Sequence, residues 1–442
     1  MRVPVTQGAL DFPGFASLLI LILCGTFVLV TSVRSVRSAN IGVPVVLSVL
    51  ASVGLLIVNT SLEPYLTNDQ TTWHALGVGA ADFLNGTSSQ SVDYVAGKEG
   101  YIWLLGGLYA IAGNTPLVPI ALNILFHALL VTTVAGTTEE VADSFQLDAR
   151  AKARSVNAAA LATAVLPSIV IWVPVILRES FSMFAVSAAT LCMLRFVRSR
   201  RVWYLIAGAP FLISLYWVRE SFALAVFFAL CVGGVFVALQ ASKYSALLRI
   251  ALVSAAVIAF PRILQILEST VGINEERVVT ATAELSSIAA SGFGGLGYNA
   301  SLSEVLLTTA PRVLLGPFPW EFELSGVMLL AVMEGTIWLV VLALAAQAIV
   351  RGRRLTRPGG GPLDDLTASP ILLIVAAVVL LALMLSIGNY GILARLRPNA
   401  LVLMIPLAGV AVGLWRDRTH TGKGESGRER VHSGSTRERR VE

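Results

Sequence analysis

Long apolar runs separated by short polar segments dominate this chain. A helix that crosses the roughly 30 Å hydrocarbon core of a bilayer needs about 17–25 mostly apolar residues. About eleven segments meet this requirement, approximately at 13–33, 43–60, 116–136, 155–174, 181–197, 203–217, 221–240, 247–266, 322–350, 369–388 and 399–415. The pattern predicts an all-α, polytopic integral membrane protein, with one transmembrane domain over residues 1–415.

Composition agrees with this pattern and excludes several classes of protein. Hydrophobic residues make up 56% of the chain and charged residues 13%, against about 45–50% and about 25% in soluble domains. Mean hydropathy is +0.77. Soluble enzymes and nucleic-acid-binding proteins are therefore excluded. Cys24, Cys192 and Cys231 each lie in an apolar run, which predicts neither a disulfide framework nor a zinc site.

The basic residues predict the orientation in the membrane. The net charge is +5, and about 23 of the 32 Lys and Arg residues fall in one set of alternate loops and in the carboxy-terminal tail. Basic residues stay on the cytoplasmic side during insertion, so we expect the amino terminus outside and the tail inside. The first apolar run has no basic leader and no cleavage-like end, and is interpreted as a span. Residues 416–442 have the composition of a disordered, basic, cytoplasmic tail.

Two long external loops, 61–113 and 267–321, are predicted to form a site. Loops longer than about 12–15 residues are often functional. The first contains the apolar stretch Tyr101–Ala112, which is too short to span and predicts an interfacial or re-entrant helix. The second contains a Gly-rich run at 291–298. No phosphate-binding glycine loop occurs in the short cytoplasmic loops, so nucleotide-driven transport has no support.

Asp69 is the first candidate for chemistry, in the segment Leu66-Thr-Asn-Asp-Gln-Thr-Thr-Trp-His74. A carboxylate near hydrocarbon has a raised pKa and is able to act as a general base toward an acceptor hydroxyl. The alternative is a solvated Asp that caps a helix beginning at Thr71.

The tetrapeptide Arg-Glu-Ser-Phe occurs twice, at Arg178-Glu179 and at Arg219-Glu220, each at the predicted external end of a helical hairpin. Charges so close to apolar spans are usually paired or functional. The alternatives are a functional acid at Glu179 and a local Arg–Glu pair with the Ser capping the next span.

Arg395 and Arg397 break the positive-inside trend at the predicted external edge. Guanidinium groups bind phosphate in a bidentate manner, so an anionic partner is one interpretation, and snorkelling to lipid headgroups is the other. Glu334 lies in the middle of a span and is interpreted as a functional or helix-pairing residue. Asn123 and His127, one turn apart, favour interhelical hydrogen bonds over metal binding.

The order of these features resembles the GT-C membrane glycosyltransferases, in particular bacterial relatives of the protein-mannosyltransferase and lipid-A aminoarabinose-transferase group. The resemblance extends over about residues 43–240. It is carried by Asp69 in the first external loop, by the segment Lys98–Gly113, by Thr115-Pro-Leu-Val-Pro119 before the span with Asn123, and by the hairpin from Leu166 to Ser180. The family often has an adjacent acidic pair in its first loop, where this chain has Asp69 alone.

The resemblance implies a polyprenyl-phosphate-linked sugar donor, used on the external face of a bacterial plasma membrane for cell-envelope glycan or glycolipid synthesis. The acceptor is a glycan, a lipid or a protein. Asp69 would be the catalytic base and Glu179 a second acid that orients the acceptor or, with Asp69, holds a divalent cation such as Mg or Mn. The implied substrate-binding residues are Arg178, Arg219, Arg312, Arg395, Arg397, Tyr101 and Trp320. Trp and Tyr also gather at membrane interfaces without any ligand.

Three other classes remain open from the sequence. A polymerase or ligase of lipid-linked polysaccharide also has many spans and external arginines. A transporter or flippase usually carries charges on several spans and inverted repeats, whereas Glu334 is nearly alone here and the twin tetrapeptides have the same orientation. A non-catalytic assembly partner is the third class.

Overall fold

A computed structural model of the protein describes residues 12–61, 68–88, 98–238, 302–321, 326–355, 368–384 and 389–424. This described part is nearly all helical (87%) and contains no β-strand. Six of its helices are long and apolar enough to cross a membrane: Gly42–Asn59, Leu117–Ser144, Glu179–Ser199, Glu220–Val237, Met328–Gly352 and Pro398–Trp415. The all-helical prediction is thus confirmed for the described part, and the six candidate spans support a membrane protein, while the number of eleven spans stays a prediction.

The described helices are numbered here in chain order. They are α1 (Phe12–Ser35), α2 (Gly42–Ser61), α3 (Asn68–Leu84), α4 (Glu99–Ala112), α5 (Leu117–Ser144), α6 (Ala149–Val165), α7 (Pro167–Val170), α8 (Glu179–Ser199), α9 (Trp203–Val218), α10 (Glu220–Ala238), α11 (Leu302–Leu315), α12 (Gly326–Leu355), α13 (Ala368–Met384), α14 (Tyr390–Leu396) and α15 (Pro398–Gly424). A 3₁₀ turn covers Pro319–Glu321.

The segment 155–174, predicted as one span, is divided in the structure. Helix α6 ends at Val165, and Leu166 adopts an extended conformation before Pro167, which begins the four-residue helix α7. Proline disfavours the helical conformation of the residue before it, which explains the break. The predicted span 247–266 and the Gly-rich run 291–298 lie outside the described residues.

Helix α15 lies at the centre of the described bundle. Its apolar segment Pro398–Trp415 is 89% buried within the protein, and it packs against α5, α6, α12 and α13. A helix that is hydrophobic on all sides is typical of such a central position. Helix α15 continues to Gly424, so the predicted disordered tail at 416–442 begins with helix, and residues 425–442 lie outside the described part.

Helices α3 and α4 form a hairpin from the first predicted external loop. A Cβ atom added to Gly106 would lie 2.5 Å from the Cβ of Ala80, which shows how closely the two backbones approach. The helix predicted over 101–112 is therefore present as α4. Helix α3 begins at Asn68, three residues before the predicted start, and Asp69 lies in its first turn.

His127 makes the predicted interhelical hydrogen bonds of α5, whereas Asn123 bonds to a non-helical segment instead. His127 contacts the Ser52 hydroxyl of α2 and the Thr163 carbonyl of α6, each at 3.0 Å. Asn123 Nδ2 donates to the carbonyl of Val175 at 2.7 Å. The Asn123 contact fixes the non-helical turn between α7 and α8, and so positions the residues that follow this turn.

Candidate functional site

Six charged side chains from five separate segments meet at one end of the bundle. We call them the Arg395 cluster: Asp69, Lys98, Arg178, Glu179, Arg219 and Arg395. They come from the first turn of α3, the residue before α4, the start of α8, the residue between α9 and α10, and α14. Ionic side chains at the opposite end of α8 form a different network, in which Arg198 binds Glu140 and Asp143 of α5.

Arg395 is the centre of the cluster because it binds both carboxylates. Its Nε donates to Glu179 Oε1 at 2.7 Å, and its Nη1 donates to Asp69 Oδ2 at 2.5 Å. The side chain of Glu179 is fully buried, whereas that of Asp69 is 54% exposed. Arg395 therefore has one buried partner and one partner at the surface.

The two Arg-Glu-Ser-Phe copies meet across the helices that carry them. Arg219 Nη2 lies 3.5 Å from Glu179 Oε1, so the Arg of the second copy pairs with the Glu of the first. Arg178 Nη1 donates to the Val218 carbonyl at 3.1 Å, immediately before the second copy. Glu220 instead accepts a hydrogen bond from Tyr216. Glu179 is thus an acceptor shared by Arg219 and Arg395. The local pair with Arg178, which was one alternative from the sequence, is not formed as a hydrogen bond.

Positive charge exceeds negative charge in the Arg395 cluster, with four cations and two carboxylates. Burial is the main cause that lowers the pKa of Lys98 below its usual value, and the three arginines lower it further. Arg178 is only 6% exposed, yet its Nε has no hydrogen-bond partner, and Glu179 Oε2 also has none. A buried donor without a partner is costly, so Arg178 Nε and the excess of cations favour an anion as ligand, whereas Glu179 Oε2 is an acceptor and does not.

Aromatic rings form one wall of the cluster. Trp73 lies four residues after Asp69 on α3, and therefore on the same helix face. The guanidinium carbon of Arg178 lies 5.1 Å from the centre of the Trp73 ring, and Lys98 Nζ lies 5.9 Å from it. Tyr101 packs edge-on against the same ring at 5.3 Å. These cation–π contacts hold two of the four cations in place.

A second network, which we call the Arg397 cluster, contains Arg312, Glu321, Glu334, Tyr390 and Arg397. Arg397 Nη1 donates to Glu334 Oε2 at 2.6 Å, and both side chains are almost completely buried. Arg312 binds Glu321 at 2.7 Å, and the Tyr390 hydroxyl donates to the other Glu321 oxygen. Two cations face two carboxylates, so this cluster is balanced in charge.

The structure thus separates the residues predicted to form one site. Asp69, Glu179 and Arg395 come together with Arg178 and Arg219, and Tyr101 lies beside them. Arg312 and Arg397 belong to the Arg397 cluster, and Arg397 is fully buried, so neither the phosphate-binding nor the snorkelling interpretation describes its contacts.

Trp320 was predicted as a substrate-binding aromatic. It is 78% exposed and stacks on Phe318 at 4.8 Å, which is a position also typical of an interfacial tryptophan.

The sequence predicted no role in the site for Lys98, and it predicted Trp73 only as one of several external aromatic residues available to stack on a sugar. The spacing of Trp73 from Asp69 was the available signal, because helical positions four apart share a face. The buried partner of Glu334 was also missed, although Glu334 itself was interpreted as functional or helix-pairing.

The donor set does not fit the divalent cation that was considered for Asp69 and Glu179. Both carboxylates bind Arg395, and three further cations surround them. Among the described residues no group of three or more His, Cys, Asp or Glu side chains could hold a metal ion. We therefore assign no metal to the Arg395 cluster.

No protein-family model matches the chain, and no curated protein matches it.

Proposed function

We propose that this protein is a membrane glycosyltransferase that takes its sugar from a polyprenyl-phosphate-linked donor, with the Arg395 cluster as the phosphate-binding and catalytic site. The observation that carries the proposal is the convergence of an excess of cations with two carboxylates, Asp69 and Glu179. These are the two acidic positions that the resemblance to GT-C glycosyltransferases implies. The remaining finer features, eleven spans and a GT-C arrangement of helices, are part of this proposal.

The level of the Arg395 cluster relative to the membrane supports a lipid-linked ligand. Trp203 and Trp217, near the two ends of α9, are 69% and 68% exposed, and exposed tryptophans mark the two membrane interfaces. Arg178 binds the carbonyl of Val218, the residue directly after Trp217. These contacts support a position of the cluster at the level of one interface, where lipid phosphate groups are found.

The basic loops support the external face. Arg195 and Arg198 lie near the end of α8 opposite to Glu179. If the basic end is cytoplasmic, as the positive-inside rule predicts, the Arg395 cluster faces outward. The sugar of a polyprenyl-phosphate donor is already activated by its bond to the lipid phosphate. A transferase site on the external face therefore needs no nucleotide-linked sugar.

The contacts of Arg395 support a sequence of steps. A donor phosphate that binds Arg395 Nη1 competes with Asp69, which is the exposed of its two partners. Asp69 is then free to accept the proton of the acceptor hydroxyl, and that oxygen forms a bond to the anomeric carbon of the sugar. The bond from this carbon to the phosphate oxygen breaks, and its electron pair leaves on the phosphate. The guanidinium groups stabilise the charge that develops there, while Glu179 keeps Arg219 and Arg395 in position.

The test is a comparison of glycan and glycolipid profiles in cells that lack the protein and carry either the wild type or Asp69→Asn at matched membrane abundance. We expect a lost or truncated glycan that only the wild type restores. Asp82→Asn is a matched control, because Asp82 lies on the same helix and contacts Thr87 of the following turn instead of the cluster.

A polymerase or ligase of lipid-linked polysaccharide is the second candidate. The ion pair between Arg395 and Asp69 favours it, since Arg395 occupies the carboxylate that the glycosyltransferase needs as its base. Full rescue by Asp69→Asn, with loss of function in Arg395→Lys, would support this second candidate. Full rescue by both variants would leave transport or assembly as the remaining functions.

A further inference from the structure

We propose that the buried pair of Arg397 and Glu334 is a positioning device that fixes the short helix α14 and thereby sets the place of Arg395. Arg397 and Glu334 are then positioning residues, since neither contacts the substrate. The inference rests on the proposed function only for the identity of the ligand that Arg395 binds.

Helix α14 has seven residues and is attached near both of its ends. At its start, the Tyr390 hydroxyl donates to Glu321, while Asn389 Oδ1 caps the helix by accepting a hydrogen bond from the Ile392 N–H at 2.8 Å. Arg397 follows directly after its last residue. So short a helix has little stability of its own, and its orientation is therefore set by these attachments.

Arg397 connects three elements through one guanidinium group. Its Nη1 donates to Glu334 of α12 at 2.6 Å, and its Nη2 donates to the carbonyls of Arg312 and Gly316, each at 3.0 Å. Arg312 lies on α11, and Gly316 follows directly after that helix. These bonds are shielded from water, because the side chains of Arg397 and Glu334 are 0% and 1% exposed.

Close backbone packing holds the acceptor carbonyl in place. A Cβ atom added to Gly335 would lie 2.8 Å from the Gly316 carbonyl oxygen and 3.1 Å from Pro317 Cδ. Only glycine permits this approach at position 335. Gly335 follows Glu334 directly, so the helix turn that supplies the carboxylate also presses against the carbonyl that Arg397 binds.

Arg395 depends on this arrangement because it makes two directed bonds from one guanidinium, to Glu179 and to Asp69. Such two-point contacts require a defined position and orientation of the planar group. A displacement of about 1 Å at a reacting group lowers rates by about 100-fold in other enzymes. A shift of α14 would therefore reach the Arg395 cluster without any change in its own residues.

The test measures the position of α14 directly. Cysteines replace Asp69 and Arg395 in a chain whose three native cysteines are changed to alanine, and the yield of a short thiol crosslinker is measured in lipid nanodiscs. Gly335→Ala is compared with Gly326→Ala, a matched change on α12 whose Cβ meets nothing within 4 Å. A second variant combines Arg397→Met with Glu334→Leu, which removes the pair without leaving a lone buried charge.

We expect both test variants to lower the crosslink yield at least threefold relative to Gly326→Ala. In chains that keep Asp69 and Arg395, we expect them to weaken binding of a polyprenyl phosphate about tenfold, with thermal unfolding close to wild type for the double variant. Crosslinking and binding at the wild-type level in the double variant would overturn the inference. If the crosslink yields fall but the wild-type protein binds no polyprenyl phosphate, the positioning inference stands and the proposed function fails.

Discussion

Arg395 and Arg397 are two residues apart, yet they belong to clusters of opposite character. The Arg395 cluster has four cations for two carboxylates, and its Asp69 is 54% exposed. The Arg397 cluster is balanced, and its central pair is excluded from solvent. Both contain buried atoms without partners, such as Glu179 Oε2 and Glu334 Oε1. The clusters therefore differ in charge balance and in exposure to solvent, and not in how completely their hydrogen bonds are formed.

This difference separates two uses of charge near a membrane. A balanced, buried pair fixes the relative positions of helices, because breaking it leaves a lone charge in a medium that solvates charge poorly. An unbalanced and partly exposed cluster has capacity for an anion from outside the chain. Mutations in the Arg395 cluster should accordingly affect function more than folding, whereas removal of one partner of the Arg397–Glu334 pair should affect folding more.

The largest expected effect is on activity, from Asp69→Asn. If Asp69 is the general base, the rate of glycosyl transfer falls about 10²–10⁴-fold, which is the range for loss of a positioned base. Thermal unfolding should stay close to wild type, because more than half of the Asp69 side chain is already exposed. The measurement is the rate of sugar transfer from a polyprenyl-phosphate-linked donor in nanodiscs, with Asp82→Asn as the control variant. Equal rates in the two variants would remove Asp69 as the base.

The next effect is on stability, from Glu334→Ala alone. Arg397 would remain as an uncompensated buried charge, and such losses cost about 3–5 kcal/mol of unfolding free energy. Denaturant unfolding in detergent micelles measures this change. The double variant with Glu334→Leu and Arg397→Met serves as the control and should stay close to wild type. A single variant as stable as the double one would contradict the structural role of the pair.

Arg395→Lys should weaken anion binding while the protein remains folded. Lysine offers a single charged centre and does not bind two carboxylates in the planar manner of a guanidinium. Loss of one hydrogen bond to a charged group costs about 1.5–3 kcal/mol, so affinity for a polyprenyl phosphate should fall about 10–150-fold. Arg201→Lys, at an exposed residue between α8 and α9, is the control. Equal affinity of the two variants would show that Arg395 does not bind the phosphate.

Trp73→Leu should have a smaller effect on the same binding. The ring contacts Arg178 and Lys98, and a cation–π contact contributes about 0.5–2 kcal/mol, depending on its exposure. Affinity should thus fall about 2–30-fold, and Trp73→Phe should lie between the leucine variant and wild type. Trp203→Leu, at an exposed tryptophan, should leave affinity unchanged. If the phenylalanine variant binds as weakly as the leucine variant, shape rather than the aromatic face accounts for the loss.

The sequence predicted the residue types of the site better than their grouping. Asp69, Glu179 and Arg395 stood out because charges beside apolar spans are rare. Their contact could not be predicted, since 326 residues separate Asp69 from Arg395 along the chain and no local pattern spans such a distance. Pro167 did carry a local signal for the break between α6 and α7, because a residue before proline tends to leave the helical conformation.

Helix geometry alone indicates that Arg395 and Arg397 point in different directions. Successive helical residues turn by about 100°, so positions two apart face nearly opposite sides. The two arginines could therefore not share one ligand if the segment was helical, and Arg397 indeed has helical dihedral angles at the end of α14. Which arginine faces the open cluster still depended on how α12 and α15 pack, and this is tertiary information.

The smallest predicted effect is the pH dependence that Lys98 gives to the Arg395 cluster. Burial and three arginines lower the pKa of Lys98 from 10.5, and only Asp69 acts in the opposite direction. Lys98 therefore loses its proton at a lower pH than an exposed lysine, while the arginines remain charged. Affinity for a polyprenyl-phosphate-linked sugar should fall as pH rises through this lowered pKa, by at most about fivefold, since a partly exposed ion pair contributes about 0.2–1 kcal/mol. Lys98→Arg should abolish this dependence below pH 10.5 because the guanidinium stays protonated. The same decline in both proteins would show that a group other than Lys98 titrates, and the excess of positive charge would then rest on the three arginines alone.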